Sequence, residues 1–154
     1  MGFSLWGLIV SAIVLLPNLL LVALPPRTPL PRPRVPVLWA AAERVGQALC
    51  LVVPAVTAPG GSAPGWSIVV VVAVVAYLAL WGRYLRTGRQ AAALFDPVWR
   101  VPVPMAILPV VAFAATAAWL LSPWIAASAA LLAIGHIPSS LTRARALREA
   151  GRVG

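Results

Sequence analysis

Five long apolar segments dominate the sequence, and short connections rich in proline, glycine or arginine separate them. The hydrocarbon core of a bilayer, about 30 Å thick, is crossed by roughly 20 apolar residues in a helix. Five such crossings use most of the 154 residues, of which 62% are hydrophobic and 10% charged. The sequence therefore predicts an all-α membrane protein with one five-helix transmembrane domain over 1–138. The predicted spans are 3–24, 37–56, 66–84, 101–121 and 124–138.

The first apolar segment lies where a secretory signal peptide would lie. No arginine or lysine precedes it, and its positive charges follow it instead. Its apolar length also exceeds the roughly 7–15 residues that are usual for a signal peptide. We therefore predict that this segment stays in the protein as a transmembrane helix.

The arginines occupy every second connection between the predicted spans. All 12 basic residues are arginine, and 11 of them lie in the connections 25–36 and 82–104 or in the tail after the fifth span. The N-terminus and the connections 57–65 and 122–123 hold none. Because arginine is enriched in cytoplasmic loops, this pattern predicts an outside N-terminus and a cytoplasmic C-terminus.

The amino-acid usage also indicates a source and excludes one class of partner. Lysine is absent and alanine, valine, proline and glycine are abundant, which is typical of GC-rich bacterial genomes. We therefore predict a multi-pass protein of the bacterial cytoplasmic (inner) membrane. The net charge of +9 does not indicate nucleic-acid binding, because orientation and anionic headgroups account for arginines that lie between apolar spans.

The last segment, 139–154, is predicted to be a basic cytoplasmic tail. Pro138 is expected to end or kink the fifth span, and Ser139 and Ser140 can cap a short amphipathic helix after it. Such a helix would lie on the inner leaflet and contact anionic lipid headgroups. The arginines predicted to make these contacts are Arg143, Arg145, Arg148 and Arg152.

Aromatic side chains mark a predicted membrane interface. Tyr77, Trp81 and Tyr84 follow one another at helical spacing near the end of the third span. Trp99 lies in the next connection, where it would sit at headgroup depth. We interpret the row of three as an interfacial anchor, because tyrosine and tryptophan combine an apolar ring with a polar tip.

Polar side chains inside the predicted spans fall at one depth. At about 1.5 Å per residue, Asn18, Glu43 and Tyr77 lie about 9–10 Å from the cytoplasmic ends of their spans, and His136 lies close to the cytoplasmic end of the fifth. Gln47 comes four residues after Glu43 and so lies on the same helical face. An ionisable group within a span costs about 2.5–3.5 kcal/mol on insertion scales. The sequence therefore predicts that these five residues form a polar layer in the cytoplasmic half.

Three interpretations of this layer remain open. Its side chains can join helices by hydrogen bonds. Alternatively, Glu43 and His136 can hold a proton or a cation in a cytoplasm-facing pocket of a small transporter or proton-coupled permease. In a membrane-embedded enzyme acting on a lipid or isoprenoid, His136 would be the general base, and Glu43 or Asp96 would orient it.

The sequence favours a non-enzymatic bundle, either a packing or accessory protein or a ligand-binding one. No motif of a hydrolase, a zinc protease or a nucleotide-binding site occurs in it. With one histidine, one cysteine and three acidic residues, no metal site is predicted, and no cofactor is predicted either. The predicted partners are the anionic bilayer and a second copy or another membrane protein.

Overall fold

The computed structural model describes residues 2–28, 30 and 33–153, and the side chains as far as Ala150. Regular structure in these ranges is helical, apart from one isolated bridge between Val98 and Val101. The α-helices are α1 (Leu5–Leu15), α2 (Leu20–Ala23), α3 (Val37–Val56), α4 (Gly65–Arg86), α5 (Pro104–Trp119) and α6 (Pro123–Val153), with 3₁₀ turns at Leu16–Leu19 and Ala91–Leu94.

Length and composition fit a membrane-embedded bundle. Four helical stretches are long and apolar enough to cross a membrane, namely Leu5–Ala23, Val37–Val56, Gly65–Arg86 and Pro123–Ala150. Helix α5 is also apolar but shorter, with 16 residues. The predicted helical class and the existence of all five apolar helices are therefore confirmed.

The outward surface of the bundle is itself apolar. On α4, Ile68 is 68% exposed and Val72 is 63% exposed, whereas Val70 and Ala73 on the opposite side are buried. In water such a surface would be unfavourable, because soluble monomers rarely expose large contiguous apolar patches. Lipid solvates such a helix face, as the sequence predicts.

The two ends of the bundle differ in charge. At one end the connections that carry arginines meet: the Arg27 N–H donates to the Arg89 carbonyl over 3.0 Å, and the Tyr84 hydroxyl donates to the Leu24 carbonyl over 2.8 Å. We call this end the arginine end. At the opposite end the Gly60 N–H donates to the Leu120 carbonyl over 3.0 Å, and no arginine lies in these connections.

Helices α3 and α6 approach each other through two glycines. A Cβ atom added at Gly46 would lie 2.6 Å from the Leu132 Cα, and one added at Gly135 would overlap the backbone N of Glu43. Backbones at this separation exclude any side chain, so glycine is required at both positions. Small residues that permit such an approach are typical of helix packing in membranes.

Helix α1 contacts α3 through a hydrogen bond that a proline makes available. Pro54 lies inside α3 and has no N–H to donate to the Cys50 carbonyl four residues earlier. The Ser11 hydroxyl donates to that carbonyl over 2.8 Å, and both residues are buried. Gly7 lies against the Pro54 carbonyl, where a Cβ atom would overlap it. The polar serine therefore satisfies a backbone group that lipid cannot.

Helix α6 does not end at Pro138, so the prediction of a separate tail helix is wrong. It runs without interruption to Val153, and the Thr142 hydroxyl donates to the Pro138 carbonyl over 2.9 Å. Beyond the proline, buried Ala144 packs against Val103 and Ala106 at the start of α5. Tertiary packing thus outweighs the local tendency of proline to stop a helix.

Helix α5 begins three residues later than the predicted fourth span. Val98 and Val101 exchange two backbone hydrogen bonds of 3.1 and 3.0 Å in a tight turn, which precedes the helix. Trp99, at the tip of this turn, is 98% exposed. This exposure agrees with an interfacial position for its indole.

Candidate ligand-binding cavity

A cavity of about 210 Å³, open on one side, lies at the arginine end of the bundle. All five residues of the predicted polar layer line it: Asn18, Glu43, Gln47, Tyr77 and His136. Asn18 lies in the 3₁₀ turn between α1 and α2, and the other four lie near the middle of α3, α4 and α6. The structure therefore brings these five residues to one space. We call this space the polar cavity.

Most of the remaining wall is apolar. Leu21, Met105, Phe113 and Leu132 are among the lining residues, and Phe113 is fully buried. The polar groups are therefore few and are set among aromatic and aliphatic side chains. Small-molecule sites in proteins have this composition, with a few polar groups that fix the orientation of the ligand.

Glu43 is the centre of an ionic network in the cavity wall. Its two carboxylate oxygens accept hydrogen bonds from Arg143, over 3.1 Å from Nη1 to Oε1 and over 3.2 Å from Nη2 to Oε2. His136 Nδ1 lies 2.8 Å from the same Oε1. An ionised carboxylate only accepts, so Nδ1 of His136 carries the hydrogen. The Glu43 side chain is 9% exposed and that of Arg143 is 35% exposed.

This network corrects the predicted role of Arg143. We expected its guanidinium at lipid headgroups, but it pairs with Glu43 because the unbroken α6 places residue 143 two turns after His136, on the same face. Arg145 and Arg148 are exposed, as headgroup contacts require. The side chain of Arg152 lies outside the described part of the chain.

Asp96 does not belong to the cavity, which removes it as a partner of His136. Its carboxylate pairs with Arg83 over 3.2 Å, between side chains that are 46% and 36% exposed. The carboxylate that contacts His136 is that of Glu43. Asp96 follows the 3₁₀ turn Ala91–Leu94, and Arg83 near the C-terminal end of α4 is the cation within its reach.

The aromatic row on α4 faces inward, contrary to the interfacial anchor that we predicted. Tyr77, Trp81 and Tyr84 are 2%, 4% and 0% exposed, and adjacent rings meet edge to face. Trp81 is among the residues that line the polar cavity, and its indole Nε1 is buried. Helical spacing of aromatic residues is the same in a core and in an anchor, so the sequence did not separate the two.

Asn18 lies where the first helix loses its α-helical geometry. Residues 16–19 form a 3₁₀ turn around Pro17, and the Asn18 side-chain amide donates to the Val14 carbonyl over 3.4 Å. The break brings irregular backbone next to the cavity. Such backbone is tolerated at membrane depth where it is buried in protein or lines a cavity.

A second, larger hollow of about 580 Å³ lies at the opposite end of the bundle. Its wall includes Val53, Thr57, Leu121 and Trp124 and contains no ionisable side chain. Leu121 and Trp124 are more than half exposed, so this hollow opens to the outside of the bundle. It lacks the ionic groups that distinguish the polar cavity.

Chemically, the polar cavity combines Glu43 and His136, a pair that can hold a proton, with side chains that donate hydrogen bonds. In the described ranges, no cluster of three or more histidine, cysteine or acidic residues is placed to hold a metal ion. A histidine oriented by a carboxylate can act as a general base. Here both oxygens of that carboxylate are also engaged by Arg143.

No family model, curated protein or solved structure matches this chain. The functional argument therefore depends on the geometry of the polar cavity. Arg143, Trp81 and Ser140 are residues of its wall with polar groups that the sequence did not place there. Their positions offered a signal, because Arg143 follows His136 by seven residues and Trp81 follows Tyr77 by four.

Proposed function

We propose that this chain is a small ligand-binding protein of the bacterial cytoplasmic membrane, and that the polar cavity holds its ligand. The observation that carries the proposal is the 210 Å³ cavity beside the Glu43, His136 and Arg143 network. Protein interiors are close-packed, and voids larger than a water molecule are few. If these polar residues served packing alone, we would expect other side chains to fill the space beside them.

The size of the cavity supports a small ligand. A cavity of about 150 Å³ accommodates benzene, and pockets for drug-sized molecules span about 300–1,000 Å³. At about 210 Å³, the polar cavity accommodates a single ring with a small substituent.

We place the cavity on the cytoplasmic side. Arginine-rich connections are retained in the cytoplasm, and the cavity lies at the end where these connections meet. The exposed Arg145 and Arg148 would then lie at the anionic inner leaflet, where each is worth about 1 kcal/mol. The N-terminus and the connection 57–65 would face outward.

Cysteine labelling tests this orientation. In a Cys50→Ala background, Ser62→Cys is expected to react with a membrane-impermeant maleimide in intact cells, because Ser62 is exposed in the connection 57–65. Gln90→Cys, exposed in the connection after α4, is expected to react only after the cells are permeabilised. The reverse pattern would place the arginine end outside.

Filling the cavity tests whether it binds a ligand. Ala106 lines the cavity and is 4% exposed, so Ala106→Leu adds three carbon atoms to the space. Ala114→Leu makes the same change on the exposed face of α5 and is the matched control. Mass spectrometry of solvent extracts is expected to find a small molecule with the wild type and with Ala114→Leu, and at least about tenfold less with Ala106→Leu. Equal amounts of the small molecule in the extracts from all three proteins would contradict the proposal.

Transport is a second candidate, favoured by the break in the first helix beside the cavity. Discontinuous helices form the substrate sites of many transporters, and intramembrane ionisable groups mark proton paths. A proton-coupled carrier would move protons through Glu43 and His136.

Proteoliposomes loaded with a pH-sensitive dye separate a carrier from a binding protein. If the chain is a carrier, the wild type carries a proton flux that Glu43→Gln abolishes, because the amide cannot ionise. Glu149→Gln, on the exposed part of α6, is expected to leave the flux unchanged. An equal flux with Glu43→Gln would remove this carboxylate from any transport mechanism.

A further inference from the structure

The mouth of the polar cavity is bordered by two amide side chains. Asn18 and Gln47 are exposed, whereas every other described residue of the cavity wall is buried or half-buried. Asn18 immediately precedes α2, and Gln47 lies on α3. The cavity therefore opens on the side where α2 and α3 face each other.

The break at Pro17 accounts for this opening. Before the break, α1 packs on α3, where the Ser11 hydroxyl donates to the Cys50 carbonyl. After the break, the chain is tied to α4 instead, because the Tyr84 hydroxyl donates to the Leu24 carbonyl. The first segment therefore leaves α3 as it approaches the arginine end.

Helix α2 and the start of α3 do not close the gap that results. No residue of α2 is buried, and no residue of α3 before Glu43 is buried. Val22 on α2 is 83% exposed, and Leu38 on α3 is 82% exposed. Two helices that packed on each other would bury side chains at their contact. We call the gap between α2 and α3, bordered by Asn18 and Gln47, the lateral slot.

The arginine end of the cavity is covered by protein. Leu94, in the 3₁₀ turn after α4, lines the cavity and is 7% exposed, and half-buried Phe95 lies next to it in the wall. Buried Ala144 of α6 packs against Val103 and Ala106 at the start of α5. The lateral slot is therefore the wider entrance.

Gln47 lies at the depth of lipid rather than of water. It follows Val37, the first residue of α3, by ten residues, which is about 15 Å along the helix and half of a hydrocarbon core of about 30 Å. The hydrogen bonds of the cavity wall in the described part of the chain leave its amide without a partner. Because lipid offers no hydrogen bonds, such an amide favours a polar ligand at the mouth.

The two amides favour a hydroxyl group on that ligand. The Asn18 amide N–H donates to the Val14 carbonyl over 3.4 Å, which leaves the amide oxygen to accept. A hydroxyl group can donate to this oxygen and accept from the Gln47 amide N–H. An ether only accepts, and a hydrocarbon does neither.

We infer that the polar cavity is entered from the bilayer through the lateral slot, and that its ligand is a membrane-dissolved alcohol of about the size of one ring. Its hydroxyl group bonds the amides of Asn18 and Gln47, and its apolar part lies against Phe113 and Leu132. The inference rests on the proposed binding function and adds the route and the ligand class.

Spin labels test the route. In a Cys50→Ala background, a nitroxide on Gln47→Cys reports collisions with oxygen, which concentrates in lipid, and with Ni(II)EDDA, which stays in water. Val75→Cys, 60% exposed and ten residues into α4, is the lipid reference, and exposed Gln90→Cys is the water reference. We expect oxygen collisions at Gln47→Cys within about twofold of Val75→Cys, and Ni(II)EDDA collisions at least about fivefold below Gln90→Cys.

Three other results would overturn the lateral route. Frequent collisions of the Gln47→Cys label with Ni(II)EDDA would show a water-filled entrance. A label that neither reagent reaches would show that the slot is closed. Spin–spin broadening that disappears on dilution with unlabelled protein would assign this face to a contact between two copies of the chain.

Three probes of one size test the hydroxyl group. Benzyl alcohol and anisole are isomers, and toluene has the same ring without oxygen. Equilibrium dialysis against the protein in nanodiscs, with empty nanodiscs in parallel, gives each affinity relative to the concentration of the probe in the membrane. We expect benzyl alcohol to bind about fivefold more tightly than either of the other two.

Gln47→Leu removes the amide and keeps a side chain of similar size. We expect this variant to bind benzyl alcohol within about twofold of toluene. Gln90→Leu makes the same change at an exposed position outside the cavity and is expected to preserve the fivefold difference.

The outcomes separate this inference from the function on which it rests. Equal affinities of the wild type for the three probes would overturn the ligand class while leaving a binding cavity in place. If no probe is retained, or if Ala106→Leu retains benzyl alcohol as well as the wild type does, the binding function itself fails. The comparison on the wild type decides the ligand class even if Gln47→Leu does not fold.

Discussion

Gly135→Ala is expected to lower the free energy of unfolding by about 3 kcal/mol, because its methyl group has no space between α3 and α6. The added Cβ would overlap the backbone N of Glu43 and lie 2.6 Å from the Glu43 Cα. These are backbone atoms of α3, so no side chain can turn away to make room. The two helices must separate, which also lengthens the contact that holds Glu43 beside His136 and Arg143.

A matched glycine on α4 provides the control for this substitution. Nothing lies within 4 Å of a Cβ atom added at Gly82. Gly82→Ala is therefore expected to be neutral or slightly stabilising, because alanine favours a helix by up to about 1 kcal/mol over glycine. Unfolding of both variants in mixed detergent micelles, followed by circular dichroism, compares them directly. A Gly135→Ala protein as stable as Gly82→Ala would mean that α3 and α6 are not in backbone contact.

Arg143→Met is expected to lower the free energy of unfolding by about 3 kcal/mol, because it leaves the Glu43 carboxylate buried without its main partner. Glu43→Met should cost less, since the freed Arg143 side chain is 35% exposed and can turn towards water. The two losses of stability differ because the Glu43 side chain is nearly buried, whereas the Arg143 side chain is partly exposed. The same unfolding assay measures both changes.

The double variant provides the sharper test of the ion pair. Replacing both members of a buried pair by apolar groups is often neutral or stabilising, so Glu43→Met with Arg143→Met should recover most of the loss. We expect a coupling energy of about 2 kcal/mol from the complete double-mutant cycle. Strictly additive effects would show that the two groups do not interact in the folded protein.

The sequence predicted much of the cavity wall because depth in a membrane helix follows directly from residue number. Asn18, Glu43 and Tyr77 lie five to nine residues from the arginine-bearing ends of the α1–α2 segment, α3 and α4, and all three line the cavity with His136. The apolar runs predicted the helices for a similar reason. In lipid, a helix satisfies all of its backbone hydrogen bonds, so local sequence preferences matter less.

The remaining features depend on contacts between distant residues. Local rules place a helix end at Pro138, whereas packing of Ala144 on Val103 continues α6 and brings Arg143 to Glu43. Inward orientation of Trp81 likewise depends on which neighbours α4 meets. The polar cavity itself exists because side chains from several helices leave one space unfilled. No pattern within one helix encodes that.

The central claim is that the polar cavity is a ligand site, and a crystal structure grown in a lipidic mesophase tests it most directly. We expect electron density for a small molecule between Trp81, Phe113 and the Glu43–Arg143 pair in the wild type, and no such density in Ala106→Leu. Side chains that close this space completely in the wild type would contradict the account.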